Sequence, residues 1–178
     1  MHYRLFDTTI GTCGVIWNER GLTGVHLPDA NPARTRASVE RRFAGAIPVE
    51  PPPAVRRAID GIVALLRGDK RDLREIELDF DGVPDFHRRV YELARTIPPG
   101  STLTYGAIAL RLNAPGTARA VGQALGQNPW PIVVPCHRVL AADGGMGGFS
   151  APGGVSTKRR MLEIEGVEGV APAPRLFP

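Results

Sequence analysis

The sequence predicts an α/β fold of the α+β type, in which a small N-terminal antiparallel sheet with helices precedes a mostly helical C-terminal domain. Short β-rich runs separated by turn signals come first in the chain, and apolar residues at helical spacing follow them. A turn-rich segment at 81–85 separates two halves of different charge balance, and we place the domain boundary there. The predicted division is an N-terminal domain (1–83), a C-terminal domain (84–170) and a loose tail (171–178).

The N-terminal domain begins with a predicted antiparallel meander of three strands, over residues 2–8, 12–18 and 22–27. Two predicted helices follow, over residues 34–43 and 53–68. A Pro-rich connector joins the helices, and Pro53 suits the first turn of the second helix because proline needs no hydrogen bond there. The alternating run IELDF at 76–80 predicts one more strand.

The C-terminal domain is predicted to begin with three helices, over residues 86–97, 105–112 and 117–128. Thr104 is a candidate N-cap for the second helix, and Pro98 stops the first. The second and third helices form a helix-turn-helix pattern around the Asn113–Gly116 turn. A buried strand of β-branched residues, a Gly-rich loop and a last helix at 156–166 complete the domain.

Charge is distributed unevenly along this chain of 178 residues, whose formal net charge is +4. The N-terminal domain is neutral, whereas no Asp or Glu occurs between Leu93 and Ala142. Such a stretch fits either a buried core segment or a surface that receives a polyanion such as DNA. No apolar run is long enough to cross a bilayer and no signal-peptide core opens the chain, so we expect a cytoplasmic protein without membrane contact.

The two cysteines have different surroundings. Cys13 lies in an alternating strand with no base beside it, and we expect a structural role. Cys136 follows a buried Ile-Val-Val-Pro run and directly precedes His137. A thiol becomes a nucleophile near a base, a cation or a helix N-terminus, and Glu165 offers a carboxylate to orient the imidazole. Adjacent residues of a helix do not face each other, so we expect His137 to act through a water.

Three segments together resemble the O6-alkylguanine-DNA alkyltransferase family, also called methylated-DNA–protein-cysteine methyltransferases: TYGAIA at 104–109, RAVGQALGQNP at 119–129 and PCHRV at 135–139. The resemblance extends from about Phe86 to Gly166. It implies a DNA-repair enzyme that extrudes O6-alkylguanine, with O4-alkylthymine as a further candidate, from double-stranded DNA. The alkyl group would then pass irreversibly to the enzyme's own cysteine in a single turnover.

The resemblance also implies the roles of individual catalytic residues. Cys136 would be the alkyl acceptor, His137 a water-mediated base and Glu165 the group that orients it. Tyr105 would donate a proton to the departing guanine. Asn128 would form the turn between the second helix of the helix-turn-helix and the strand before the cysteine.

The remaining implied residues contact DNA or form the pocket. Arg119 would fill the gap left by the extruded base, and small residues would let the second helix approach the minor groove. The implied DNA-binding set is Arg119, Tyr105, Ala118, Gly122 and Arg138, and the implied substrate pocket is Pro131, Val139, Phe149 and Ser150. The closing loop departs from the family, because Phe149 stands where many relatives have tyrosine and Ala151-Pro152 lengthens the loop.

No cofactor or metal is expected, since the N-terminal half lacks a Cys/His set for structural zinc. We expect a monomer in solution, with cooperative binding to DNA left open. Three other functions are alternatives: an alkylated-base recognition protein without transfer, a redox-sensing helix-turn-helix regulator and a thiol hydrolase. Recognition-only relatives lack the acceptor cysteine, which this chain has. Reversible oxidation would identify the regulator, and multiple turnover on an ester or amide would identify the hydrolase.

Overall fold

The computed structural model describes residues 1–169, and the predicted tail at 171–178 lies outside the described residues. The N-terminal half contains one four-stranded sheet in the order β3-β2-β1-β4. Its strands are β1 (His2–Thr8), β2 (Gly11–Asn18), β3 (Gly21–His26) and β4 (Ile47–Pro48). The first three form the predicted antiparallel meander, with Tyr3 opposite Ile16.

The short edge strand β4 was not predicted. It pairs in parallel with β1 through residues of the Pro-rich connector. The backbone N–H of Ile47 donates to the Met1 carbonyl, and that of Val49 donates to Tyr3. Two residues are too short a run to show an alternating pattern, and a proline is accepted because β4 is at the edge of the sheet.

Two helices of the N-terminal half lie where the sequence places them, α1 (Pro32–Arg42) and α2 (Pro53–Leu66). Pro53 lies in the first turn of α2, as predicted. The face of α2 that includes Val55 and Ile62 is buried in the main core.

The prediction of a strand over residues 76–80 is wrong. Only Leu78 forms a bridge, to Leu22 of β3. The N–H of Leu22 donates to the Glu77 carbonyl, and the N–H of Asp79 donates to the Leu22 carbonyl. The Asp79 carboxylate then accepts hydrogen bonds from the side chains of Asn18 and Arg20. The segment therefore crosses the edge of the sheet at one residue instead of running along it.

The C-terminal half is mostly helical, as predicted. Its helices are α3 (Asp85–Ala94), α4 (Tyr105–Arg111), α5 (Ala118–Gly126) and α6 (Gly154–Ile164). Thr104 caps α4, because its hydroxyl accepts the Ala107 N–H. Helix α3 ends earlier than predicted: the N–H groups of Thr96 and Ile97 bond three residues back, which makes a tight turn before Pro98.

A two-stranded parallel ladder that the sequence did not predict joins the segment before α4 to the segment after Cys136. It consists of β5 (Leu103–Thr104) and β6 (Val139–Leu140). This pairing places the start of the helix-turn-helix next to the cysteine.

The buried run before Cys136 is a turn, not the strand that was predicted. Pro131 and Val134 bridge each other around Ile132, whose φ is 77°. A β-branched residue rarely adopts this conformation, so the surrounding structure must hold it there. Asn128 does so in part: its amide N–H donates to the Val134 carbonyl, and its side-chain oxygen accepts the Trp130 N–H.

The two halves share one hydrophobic core. The indole of Trp130 donates to the Leu22 carbonyl at 2.7 Å, and the N–H of Val25 donates to the Pro129 carbonyl at 2.9 Å. The boundary placed at 81–85 stays a prediction. Within residues 1–169, no helix combines the length and the apolar character needed to traverse a bilayer.

Candidate active site

Cys136 opens a short 3₁₀ turn, Cys136–Arg138, directly after Pro135. The residue is 8% exposed, and its N–H donates to the Val134 carbonyl. Burial raises the pKa of the Cys136 thiol. The Asn128 amide, the Lys158 ammonium and backbone N–H groups at the start of the turn act in the opposite direction but do not overcome burial. The resting group is therefore a thiol that needs a base before it can attack carbon.

A buried ion network lies behind the cysteine. His137 Nε2 is 2.8 Å from Glu165 Oε1, which confirms the predicted proximity of the two residues. The Arg138 guanidinium donates to both Glu165 oxygens, at 2.9 and 2.8 Å, and to the Ile97 carbonyl at 2.6 Å. Burial alone would raise the pKa of Glu165, but these hydrogen bonds and charges lower it to about 2. Glu165 is therefore a fixed carboxylate at neutral pH.

The network determines which nitrogen of His137 is free. Burial lowers the pKa of His137, so its imidazole is neutral near pH 7. A neutral imidazole has one N–H, and the carboxylate at Nε2 favours the proton there. Nδ1 is then an acceptor, and it has no hydrogen-bond partner among the described residues. His137 can therefore accept a proton at Nδ1.

The expectation that Arg138 contacts DNA is wrong. Its side chain is only 6% exposed, and its donors are engaged with Glu165 and Ile97. If the Arg138 guanidinium turned outward to DNA, the buried Glu165 carboxylate would lose its main partner. The sequence showed a cation next to the cysteine but could not show that it points inward.

Lys158 of α6 belongs to the site and was missed in the sequence. It is 1% exposed, and its ammonium donates to the Val139 carbonyl at 2.6 Å. The same ammonium lies 6.0 Å from the centre of the Tyr105 ring. Burial lowers the pKa of Lys158 to about 8. A signal existed, because Lys158 has helical spacing with the apolar residues Met161 and Leu162.

A cavity of about 110 Å³ lies in front of Cys136. The predicted pocket residues Pro131, Phe149 and Ser150 line it, together with Tyr105 and Asn128. The fourth predicted pocket residue, Val139, does not line the cavity. Its side chain is fully buried in the core, so this prediction is wrong.

The N-terminal half also contributes to this cavity, through four residues that the sequence gave no signal for: Val25, His26, Leu27 and Arg42. His26 is 7% exposed, and its Nε2 is 3.0 Å from Asp29 Oδ2. These four residues reach the cavity because β3 and α1 pack against the C-terminal half, and no local sequence pattern predicts that packing.

Tyr105 connects the cavity to the helix-turn-helix. Gly122 of α5 packs on the Tyr105 ring: a Cβ atom added there would lie 3.8 Å from the ring, an ordinary van der Waals distance, so the contact has room for glycine or alanine. Burial, with a contribution from Cys136, raises the pKa of Tyr105, so its hydroxyl keeps its proton at neutral pH.

Arg119 and Ala118 begin α5, next to this packing contact. Arg119 is exposed and forms no ion pair within the part of the chain that the structure describes. Its guanidinium is therefore free to interact with a ligand. In residues 1–169 no group of three or more His, Cys, Asp or Glu side chains could hold a metal ion.

Comparison with known proteins agrees with this geometry. The family model described as 6-O-methylguanine DNA methyltransferase, DNA binding domain, matches residues 85–167. A methylated-DNA–protein-cysteine methyltransferase of Methanothermobacter thermautotrophicus is 39% identical over 86% of this chain and 79% of its own. One of Mycobacterium tuberculosis is 38% identical over 93% and 92%.

Solved structures give the same result. The crystal structure of Mycobacterium tuberculosis OGT in complex with DNA has a TM-score of 0.75 and 38% identity, over 93% of each chain. The O6-methylguanine-DNA methyltransferase of the archaeon Pyrococcus kodakaraensis has a TM-score of 0.73 and 30% identity, over 93% of this chain and 99% of its own. These likenesses confirm the predicted fold class.

Proposed function

Because the chain belongs to the 6-O-methylguanine DNA methyltransferase family, and so repairs DNA by transferring an alkyl group to a cysteine, we propose that Cys136 is the acceptor. The observation that carries this proposal is the position of Cys136: it faces the cavity that Tyr105, Asn128 and Phe149 line, with the His137–Glu165 pair behind it. Cys13, by contrast, is fully buried, and burial raises the pKa of its thiol to about 12.

The reaction begins with removal of the thiol proton. His137 accepts it at Nδ1 through a water, because no hydrogen bond joins its ring to the Cys136 sulfur among the described residues. The fixed negative charge of Glu165 stabilises the imidazolium that forms. The cost of burying a thiolate is reduced by the Lys158 ammonium and by N–H groups of the 3₁₀ turn.

Transfer then exchanges one bond for another. The Cys136 sulfur attacks the alkyl carbon on O6 of the guanine, the carbon–sulfur bond forms and the carbon–oxygen bond breaks. The electron pair of the broken bond moves to the guanine, which gains a proton from the Tyr105 hydroxyl. The Tyr105 phenolate then regains a proton and the His137 imidazolium releases one, both through water. The net change is one proton moved from the thiol to the guanine, and both side chains return to their starting forms. To remove the alkyl group again, a nucleophile would have to displace the Cys136 thiolate from an unactivated thioether carbon, which is slow, so each molecule reacts once.

DNA must deliver the base to the cavity. A base in a duplex is out of reach, so the nucleotide has to rotate out of the stack at a cost of a few kcal/mol. Arg119 occupies the gap in this proposal. Its exposure at the start of α5, the helix that packs on Tyr105, supports that role. The small residues Ala118 and Gly122 allow α5 to lie close to the groove.

The properties of Cys136 disfavour the two thiol-based alternatives. A peroxide sensor works through an accessible thiolate, whereas Cys136 is 8% exposed with a raised pKa. A thiol hydrolase attacks its ester or amide with a thiolate held next to its base, whereas burial raises the pKa of Cys136 and the His137 ring bonds to Glu165 instead of to the sulfur.

The test is repair stoichiometry on a duplex with one O6-methylguanine. Chromatography of the digested DNA should show loss of O6-methylguanine and gain of guanine in a one-to-one ratio to protein, with no further repair after more substrate is added. Cys136→Ser should repair nothing while binding the duplex. The matched control Cys13→Ala should keep full stoichiometry. Normal repair by Cys136→Ser, or several turnovers by the unaltered protein, would contradict the proposal.

A further inference from the structure

Arg42 is an unexpected part of the alkyl-acceptor cavity. It belongs to the last turn of α1 in the N-terminal half, yet it lines the same cavity as Cys136, Tyr105 and Ser150. Among the cavity-lining residues within 1–169, Arg42 is the one Lys or Arg, and no Asp or Glu is present.

The charge of Arg42 has no anionic partner among the described residues. Its guanidinium forms no ion pair and no hydrogen bond among the described residues. The guanidinium carbon lies over the Phe43 ring, 5.6 Å from the ring centre, in a cation–π contact that leaves its N–H donors without acceptors. The neighbouring Arg41, which does not line the cavity, donates to the Ser38 hydroxyl. A helix C-terminus favours a cation in its last turn, but either arginine satisfies that preference.

The position of Arg42 is fixed by the packing of the two halves. Strand β3, which places Val25 and His26 at the cavity wall, is bonded to the C-terminal half through Val25 and Pro129. Helix α1 packs on the same sheet, with Val39 buried beside Gly14 of β2. The N-terminal half therefore forms one side of the cavity and holds Arg42 there.

A nucleotide that enters the cavity brings a phosphate to each side of its sugar. The base occupies the space before Cys136, so the sugar and its phosphates remain at the entrance. A guanidinium whose N–H donors have no acceptor is well suited to a phosphate, because its planar donors match two phosphate oxygens.

On the basis of the proposed function, we propose that Arg42 binds a DNA phosphate next to the extruded nucleotide. The N-terminal half thereby takes part in repair by holding the extruded nucleotide at the cavity. This role differs from that of Arg119, which occupies the position that the base has left.

The test compares Arg42→Ala with the matched control Arg41→Ala in single-turnover repair of a duplex with one O6-methylguanine. For Arg42→Ala, we expect the DNA concentration at half-maximal rate to rise about tenfold, the value for one charge-assisted hydrogen bond. The slope of the logarithm of DNA affinity against the logarithm of salt concentration should decrease in magnitude by about one unit, the value for one phosphate contact. The limiting rate, and the rate with free O6-methylguanine base, should stay unchanged because neither depends on a phosphate.

The outcomes separate this inference from the proposed function. Equal effects of the two substitutions, no effect of Arg42→Ala on duplex DNA, or an equal loss with the free base would each overturn the role of Arg42. Thermal unfolding of both variants checks that folding is retained. Failure of the unaltered protein to repair any duplex would instead overturn the proposed function.

Discussion

Replacing Glu165 with glutamine tests the buried ion network, because it removes the charge and keeps the shape. In the folded protein the pKa of Glu165 falls from an ordinary value of 4.5 to about 2. That difference corresponds to roughly 3 kcal/mol of stability, since each pH unit is worth about 1.4 kcal/mol. Because Glu165 is only 5% exposed, solvent screens little of its electrostatic interaction with Arg138 and His137.

The sign of the pH dependence follows from the lowered pKa. Above pH 4.5 the carboxylate is charged in both the folded and the unfolded protein, and its stabilisation is fully present. As the pH falls from 4.5 towards 2, the unfolded state takes up the proton first and the stabilisation is lost. We therefore expect Glu165→Gln to unfold about 3 kcal/mol more easily at pH 7, with a difference that shrinks progressively below pH 4.5.

Urea unfolding of both proteins at pH 7, and at steps down to pH 3, measures this difference. Glu168→Gln is the control, because Glu168 is exposed and its substitution should change the free energy of unfolding by less than about 0.5 kcal/mol. A difference that stays constant from pH 7 to pH 3, or one below about 1 kcal/mol at pH 7, would refute the electrostatic account of the network.

Three further predictions concern single residues of the site. Arg119→Ala should slow repair of duplex DNA at least about tenfold and leave reaction with free O6-methylguanine base unchanged, because only the duplex requires base extrusion; equal losses would contradict the role. Tyr105→Phe should lower the limiting transfer rate about a hundredfold in single-turnover assays while duplex binding, followed by fluorescence anisotropy, stays unchanged. Asn128→Ala should destabilise the protein by about 1–3 kcal/mol in urea, because it leaves the Val134 carbonyl and the Trp130 N–H without partners.

The sequence was most informative where structure is local. The spacing of apolar residues placed α2, α4 and α5, and Thr104 caps α4 as its side chain predicted. The proximity of His137 and Glu165 was also predicted, although 28 residues separate them. That inference depended on chemical reasoning about an imidazole and a family resemblance, since spacing alone does not bring the two together.

What the sequence missed depends on contacts between distant segments. The turn at Ile132 looked like a strand because three β-branched residues favour one. Two hydrogen bonds hold a turn instead: the Asn128 amide donates to the Val134 carbonyl, and the Val134 N–H donates to the Trp130 carbonyl. Arg138 looked like a DNA contact because its charge was visible and its inward direction was not. The positions of Arg42 and His26 at the cavity follow from docking of the two halves, which leaves no periodic signal.

The central claim, that one alkyl group passes irreversibly to Cys136, is tested most directly by intact-protein mass spectrometry after incubation with a duplex containing one O6-methylguanine. The account predicts a mass gain of one CH₂ group, about 14 Da, that saturates at one per chain and maps to the peptide with Cys136. No gain with an intact lesion-specific complex, or a gain that maps to Cys13, would contradict it.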